Sequence, residues 1–147
     1  MRRGVVDSSA LLAVLFAEPC AERVATILSA AEQPMMSAVN YTECLIRVLD
    51  RAPTAAETLD LALAEFALEI VPVDRALASD AAQARLRYPI NLGDCFAYAL
   101  AKSRGLTLLT LDTDFGKTDV ELVDLTSSIS SPNSNAATSS AWLTTQD

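Results

Sequence analysis

The chain contains no histidine. That absence removes Ser-His-Asp and Cys-His triads, histidine-dependent ribonuclease chemistry and His-ligated zinc. Any catalysis must rest on carboxylates, lysine, tyrosine, hydroxyls, thiols or a metal. Cysteine is sparse: Cys20, Cys44 and Cys95 lie far apart with no C-x-x-C pair, the pattern of buried reduced thiols rather than of a disulfide or zinc cluster. No apolar run approaches the roughly 18 residues that span a bilayer. Arg2, Arg3 and then Asp7 interrupt the start too early for a signal peptide, so the cytoplasm is the expected compartment. Positive charge is also short, with 11 Lys and Arg against 19 Asp and Glu and a net charge of −8. Such a balance opposes non-specific nucleic-acid binding through bulk electrostatics. It still permits a nuclease whose negative charge is offset by bound metal and whose phosphates meet a local basic patch.

What is present is ample apolar material, 51% of 147 residues, enough for one domain with a sizeable core. Residues 3–7 (RGVVD) read as a short buried strand, and SSALLAVLF as a helix capped by Ser8 or Ser9. A helix over 20–31 follows, broken at Pro34, and then a short strand at 35–37. Ser37 or Asn40 is expected to cap a helix running to about Asp50, on which Glu43 and Arg47 share a face. Pro53-Thr54 starts another helix, 67–73 reads as a strand, and Asp74 caps a helix through about Arg87. Asn91 to Asp94 is a turn into the helix CFAYALAKSRG, closed by Gly105. Strand 106–111, the loop DTDFGKTD and a last short strand near ELVDL complete the pattern. Strands separated by helices indicate βαβ units, hence an α/β fold with a mainly parallel sheet. From Thr126 onward 11 of 22 residues are Ser or Thr, the composition of a disordered tail, in which Ala141-Trp142-Leu143 is the one apolar group able to dock.

Five acids stand out by position. Asp7 follows the first strand, Glu43 lies in the helix after the second, Asp94 begins a helix, and Asp112 and Asp114 follow a late strand. Singly, each has an ordinary reading as a helix cap or a solvated side chain. Together they converge on the edge of the sheet where open α/β folds bind ligands. Like charges gathered there call for a cation, and an oxygen-only set suits Mg2+, with Mn2+ as the alternative. Asp7, Asp94 and Asp112 are the expected ligands, while Glu43 or Asp114 orients a metal-bound water. Ser9 and Thr110 flank the acids and are candidates to hold a ligand carboxylate or a substrate phosphate. Arg47, Lys102 and Arg104 are candidate phosphate contacts, although the last two also suit the end of a helix. Phe115 is expected in the core, fixing the DTD loop. Tyr41 and Tyr98 are core-edge residues able to stack on a base.

Four ordered blocks carry a resemblance. GVVDSSALLAVLF resembles the opening of PIN-domain ribonucleases, especially the VapC toxins of bacterial toxin–antitoxin pairs. SAVNYTE resembles their Ser-then-Glu segment, and LGDCFAYALAKSRGLTLLTLDTDF resembles their Asp helix, strand and T-x-D-x-D-F motif. The resemblance runs over about residues 3–125 and implies a PIN-like domain, 1–125, followed by the tail 126–147. The implied fold is a twisted sheet of about four to five short strands flanked by helices. It implies an acidic pocket of Asp7, Glu43, Asp94 and Asp112 with Asp114 beside it. The implied activity is endoribonuclease, with an RNA substrate, a homodimer and a small antitoxin that covers the pocket with a basic side chain.

Two other readings remain in play. Phosphoryl-transfer domains of the haloacid-dehalogenase or receiver type also place acids at strand ends around Mg2+. The first wants D-x-D after strand one, where this chain has Asp7-Ser8-Ser9, and the second wants an early acid pair and a late lysine. A catalytically silent PIN scaffold is the third reading, and retention of all the acids speaks against it.

Overall fold

The computed structural model describes residues 1–125. The expected Ser/Thr-rich disordered tail and the docking of its Trp142 lie outside the described residues. Four strands, β1 (Arg3–Val6), β2 (Gln33–Ser37), β3 (Glu69–Val71) and β4 (Thr107–Leu109), form one sheet in the order β3-β2-β1-β4 with every pairing parallel. The helices are α1 (Ser8–Leu15), α2 (Ala21–Ala30), α3 (Ala38–Arg51), α4 (Ala56–Glu65), α5 (Arg75–Arg87) and α6 (Leu92–Arg104).

The period-two alternation of the strands divides the core into two layers. Val6, Met36 and Leu109 face one cluster with α1 to α4, whereas Val5, Met35, Val71 and Leu108 face the other with α5 and α6. A parallel sheet covered on both faces must be apolar on both, which is why VV, MM and LL stand at the strand centres.

The chain order also decides where the site falls. From β1 the chain steps outward to β2 and β3, then returns to place β4 on the other side of β1. This reversal between β1 and β4 is a topological switch point, and the crevice at the carboxyl ends of those strands is the ligand position of open α/β sheets. Asp7 and Asp112 follow these two strands, and the Asp7 amide donates to Leu109 O at 2.9 Å.

Local differences from the sequence reading have physical causes. Asp7, rather than Ser8 or Ser9, occupies the cap position of α1, and its side chain makes no capping bond. Pro34 does not simply break a helix. It sits inside β2 next to the strand start, where a missing N–H is tolerated. Ser37 caps α3 by accepting from the Asn40 amide at 3.1 Å. The third strand is trimmed to 69–71 because Ala67 takes a positive φ of 50° to close α4. Asn91 caps α6 and Leu92 and Gly93 are already helical, so the expected turn is the helix start. The loop after β4 winds into a 3-10 turn over Thr113–Lys117, and the expected last strand reduces to one bridge between Leu108 and Leu122.

Candidate active site

Asp7 is the centre of the site. It is buried where β1 gives way to α1, and its Oδ2 accepts from Ser9 Oγ at 2.7 Å and Thr110 Oγ1 at 2.9 Å. Its Oδ1 is buried with no hydrogen-bond partner. A buried carboxylate oxygen without a donor is costly, and such an atom calls for an explanation. Burial raises the Asp7 carboxyl above its ordinary range. The Ser9 and Thr110 hydroxyls pull it down, and the Glu43 charge pushes it up again.

Ser9 and Thr110 also fasten the chain leaving β4. The Leu111 amide donates to Ser9 Oγ and the Asp112 amide to Thr110 Oγ1, both at 3.0 Å. Each hydroxyl thus accepts from the β4 exit and donates to Asp7. Asp112 caps the 3-10 turn, its Oδ1 accepting from the Asp114 amide at 2.8 Å. The Asp114 carboxylate itself pairs with Lys117 at 3.1 Å, on the exposed side of the turn.

Asp94 enters from the other wall. It lies in the first turn of α6, where its Oδ2 accepts from the Asn91 amide at 3.2 Å. Its carboxyl is pushed up to about 6, first by burial and then by the negative charges of Asp7, Asp112 and Glu43, against the pull of the Asn91 amide. Those couplings mark the four acids as one electrostatic group. Glu43 completes it from α3, its Oε1 accepting from Ser8 Oγ at 3.0 Å and from Asn40 Nδ2 at 2.9 Å.

The structure therefore brings Asp7, Glu43, Asp94 and Asp112 together with Ser9 and Thr110, and turns Asp114 toward Lys117. Arg47 is elsewhere: its guanidinium lies 5.7 Å from the centre of the Phe16 ring, beside a cavity of about 350 Å³ lined by Phe16, Glu18, Asp50 and Arg51. Lys102 pairs with Asp119 at 3.3 Å, and Tyr98 donates to Asp119 at 2.5 Å, so both belong to the back of α6. The cysteines are free, with Cys44 and Cys95 buried. Burial raises both thiols, and at Cys44 the charges of Asp7 and Glu43 raise it further, which leaves it an inert thiol beside the acids.

Asn40, Ser8 and Gly93 were not legible as site residues. Asn40 reads in sequence only as an alternative cap. The one available signal was the spacing Ser37, Asn40, Glu43, three residues apart on the first turns of a helix, which stacks them on one face.

Comparison with known proteins identifies the family. The PIN domain model matches residues 4–121. The chain is a PIN-domain protein of the VapC group. It is 39% identical over 129 residues to Ribonuclease VapC30 of Mycobacterium tuberculosis, covering 82% of this chain and 98% of that one. It is 35% identical to Ribonuclease VapC36 of the same species over 80% of this chain and 91% of the relative. Among solved structures it resembles FitAcB from Neisseria gonorrhoeae, with a TM-score of 0.67 at 27% identity over 82% and 96% of the two chains. A toxin–antitoxin complex from Klebsiella pneumoniae shares the fold, with a TM-score of 0.66 at 21% identity over 83% and 97%.

The donor set of this PIN domain suits a hard divalent cation in kind. It is all oxygen, it carries one buried oxygen without a proton donor, and burial and neighbouring negative charge raise the carboxyls of Asp7 and Asp94. As they stand, no group of three or more acidic or thiol side chains among the described residues is placed to hold a metal ion. Mg2+ does not need such a group, since it keeps several waters and takes few direct carboxylates. No described helix is long and apolar enough to cross a membrane.

Proposed function

We propose that this PIN domain is the toxin of a toxin–antitoxin pair and an endoribonuclease that hydrolyses RNA phosphodiester bonds with Mg2+ or Mn2+. The single observation carrying the reading is the buried, donorless Oδ1 of Asp7 among three further acids at the sheet's switch point. The relatives named ribonuclease and the toxin–antitoxin complexes of like fold support it.

Asp7, Asp94 and Asp112 would hold the ion, which supplies an acidified water and charge neutralisation at phosphorus. Ser9 and Thr110 keep the Asp7 carboxylate in place by donating to its Oδ2, which leaves Oδ1 without a hydrogen-bond donor. Glu43, held through its Oε1, orients the attacking water, and Asp114 supports the Asp112 turn through its amide. Ser9 and Thr110 border the phosphate, and Arg47 meets the RNA backbone farther along α3. An in-line attack by water requires neither histidine nor the 2′-hydroxyl. The partners are RNA, a small antitoxin whose basic side chain fills the acidic pocket, and a second copy of the chain in a cytoplasmic homodimer.

The fragments are expected to carry 5′-phosphate and 3′-hydroxyl ends, read by susceptibility to a 5′-phosphate-dependent exonuclease and by ligation. Cyclic 2′,3′-phosphate ends would overturn the mechanism. The open spacing of the carboxylates suits one rival, a silent PIN scaffold, and that rival gives no fragments at all.

A further inference from the structure

Among the described residues Asn40 is the one fully buried amide side chain, and both polar atoms of that side chain are engaged. Its Nδ2 gives its two protons to Glu43 Oε1 at 2.9 Å and to the Gly93 carbonyl at 3.0 Å, and because both partners can only accept, they fix which way the amide faces. Its Oδ1 then accepts from Ser37 Oγ at 2.6 Å. One side chain thus joins the cap of α3, the Glu43 carboxylate and the first turn of α6, one residue from Asp94. Gly93 completes the joint by lacking a side chain. A Cβ there would stand 2.7 Å from Glu43 Cδ and collide with both carboxylate oxygens.

We infer that Asn40, with Gly93, is a positioning element that holds Glu43 against the start of α6 and so sets the spacing between the α3 and α6 walls of the acidic site. The inference rests on the proposed nuclease reading for its consequence in catalysis, while the joint itself is independent of it. Asn40 touches neither substrate nor metal and acts through Glu43. A shared polar network of this kind transmits its loss to the group it orients.

The test is a double-mutant cycle on the full chain with a short fluorogenic RNA and Mn2+. Asn40→Ala is expected to lower kcat by about 10- to 100-fold with KM changed by less than about 2-fold, because orientation rather than binding is lost. Placed in a Glu43→Ala background, the same change should cost less than about 2-fold more. Gly93→Ala is the second variant, since alanine favours the helix and the nearest atoms its Cβ meets are the carboxylate end of the Glu43 side chain. It should lower kcat alone and do nothing further once Glu43 is alanine. Losses that multiply in the cycle would overturn the inference and leave the nuclease reading intact.

A separate readout needs no activity. In the metal-free protein the Asn40 side-chain NH2 protons should exchange slowly with solvent, and faster in Glu43→Ala. Fast exchange in the wild type overturns the joint. Slow exchange in a wild type that cleaves no RNA overturns the nuclease reading, and the catalytic consequence of the joint with it.

Discussion

Asp94→Asn is expected to reduce RNA cleavage by at least about a thousandfold, as loss of one member of a group acting as a unit does. The same change should stabilise the metal-free protein at neutral pH. The Asp94 carboxyl is raised from 3.8 to about 6 on folding, by burial and by its acidic neighbours. Between those values the folded state binds more protons than the unfolded chain, so stability falls as pH rises through the window. Above it the full penalty of a crowded charge is present. Asparagine carries no charge, and its side-chain oxygen can still accept from the Asn91 amide. A shift of this size corresponds to about 3 kcal/mol at most. Solvent access to the open site reduces the expected gain to about 1–2 kcal/mol. Urea unfolding in EDTA at pH 4.5 and 7.5 checks the sign: the variant should gain over the wild type at the higher pH and little at the lower. A variant that still cleaves, or that is destabilised at neutral pH, contradicts the placement of Asp94 among the acids.

The second large effect is in the core under the site. Phe115→Ala should cost about 3–5 kcal/mol, the range for emptying a buried aromatic position. Phe115 is fully buried within the 3-10 turn that begins at Asp112, and it packs in the cluster with Val5, Leu108 and Tyr98. Its carbonyl accepts from the Thr118 amide at 3.1 Å and from Thr118 Oγ1 at 2.7 Å, so the ring anchors the turn carrying both Asp112 and Asp114. Urea unfolding should show the loss, and cleavage should fall with it at temperatures where the variant is still folded. Leu86, 92% exposed on α5, is the control, and its change to alanine should stay within about 0.5 kcal/mol. A loss below about 1 kcal/mol at Phe115 would contradict the packing.

How far the sequence could be read depended on whether a residue's role was local. The strand-end acids were legible because apolar doublets such as Val5-Val6 and Leu108-Leu109 mark a sheet covered on both faces, and an acid soon after such a doublet, Asp7 directly and Asp112 three residues on, sits at its edge. Gly105 was legible as a helix end because glycine suits its φ of 64°. Ala17 and Ala67 also end helices at positive φ, yet alanine gives no such signal, so the strand expected from residue 67 began too early. The site residues that went unread are those whose partners lie far away in sequence. Asn40 reaches Gly93 and Ser8 reaches Glu43, contacts that only the packing of α1, α3 and α6 creates. Arg47, four residues from Glu43, shares its helix yet turns to Phe16, because the side chain that follows a helix face also follows its apolar neighbours.

The proposed use of a metal-activated water by a cluster that has no histidine is the claim with the most direct test. Purified protein is incubated with total RNA in Mg2+, in EDTA, and as Asp7→Asn in Mg2+. Fragments in the first reaction alone, restored when excess Mg2+ is added back to the second, are the expected result. Cleavage that persists in EDTA or in Asp7→Asn would contradict the account.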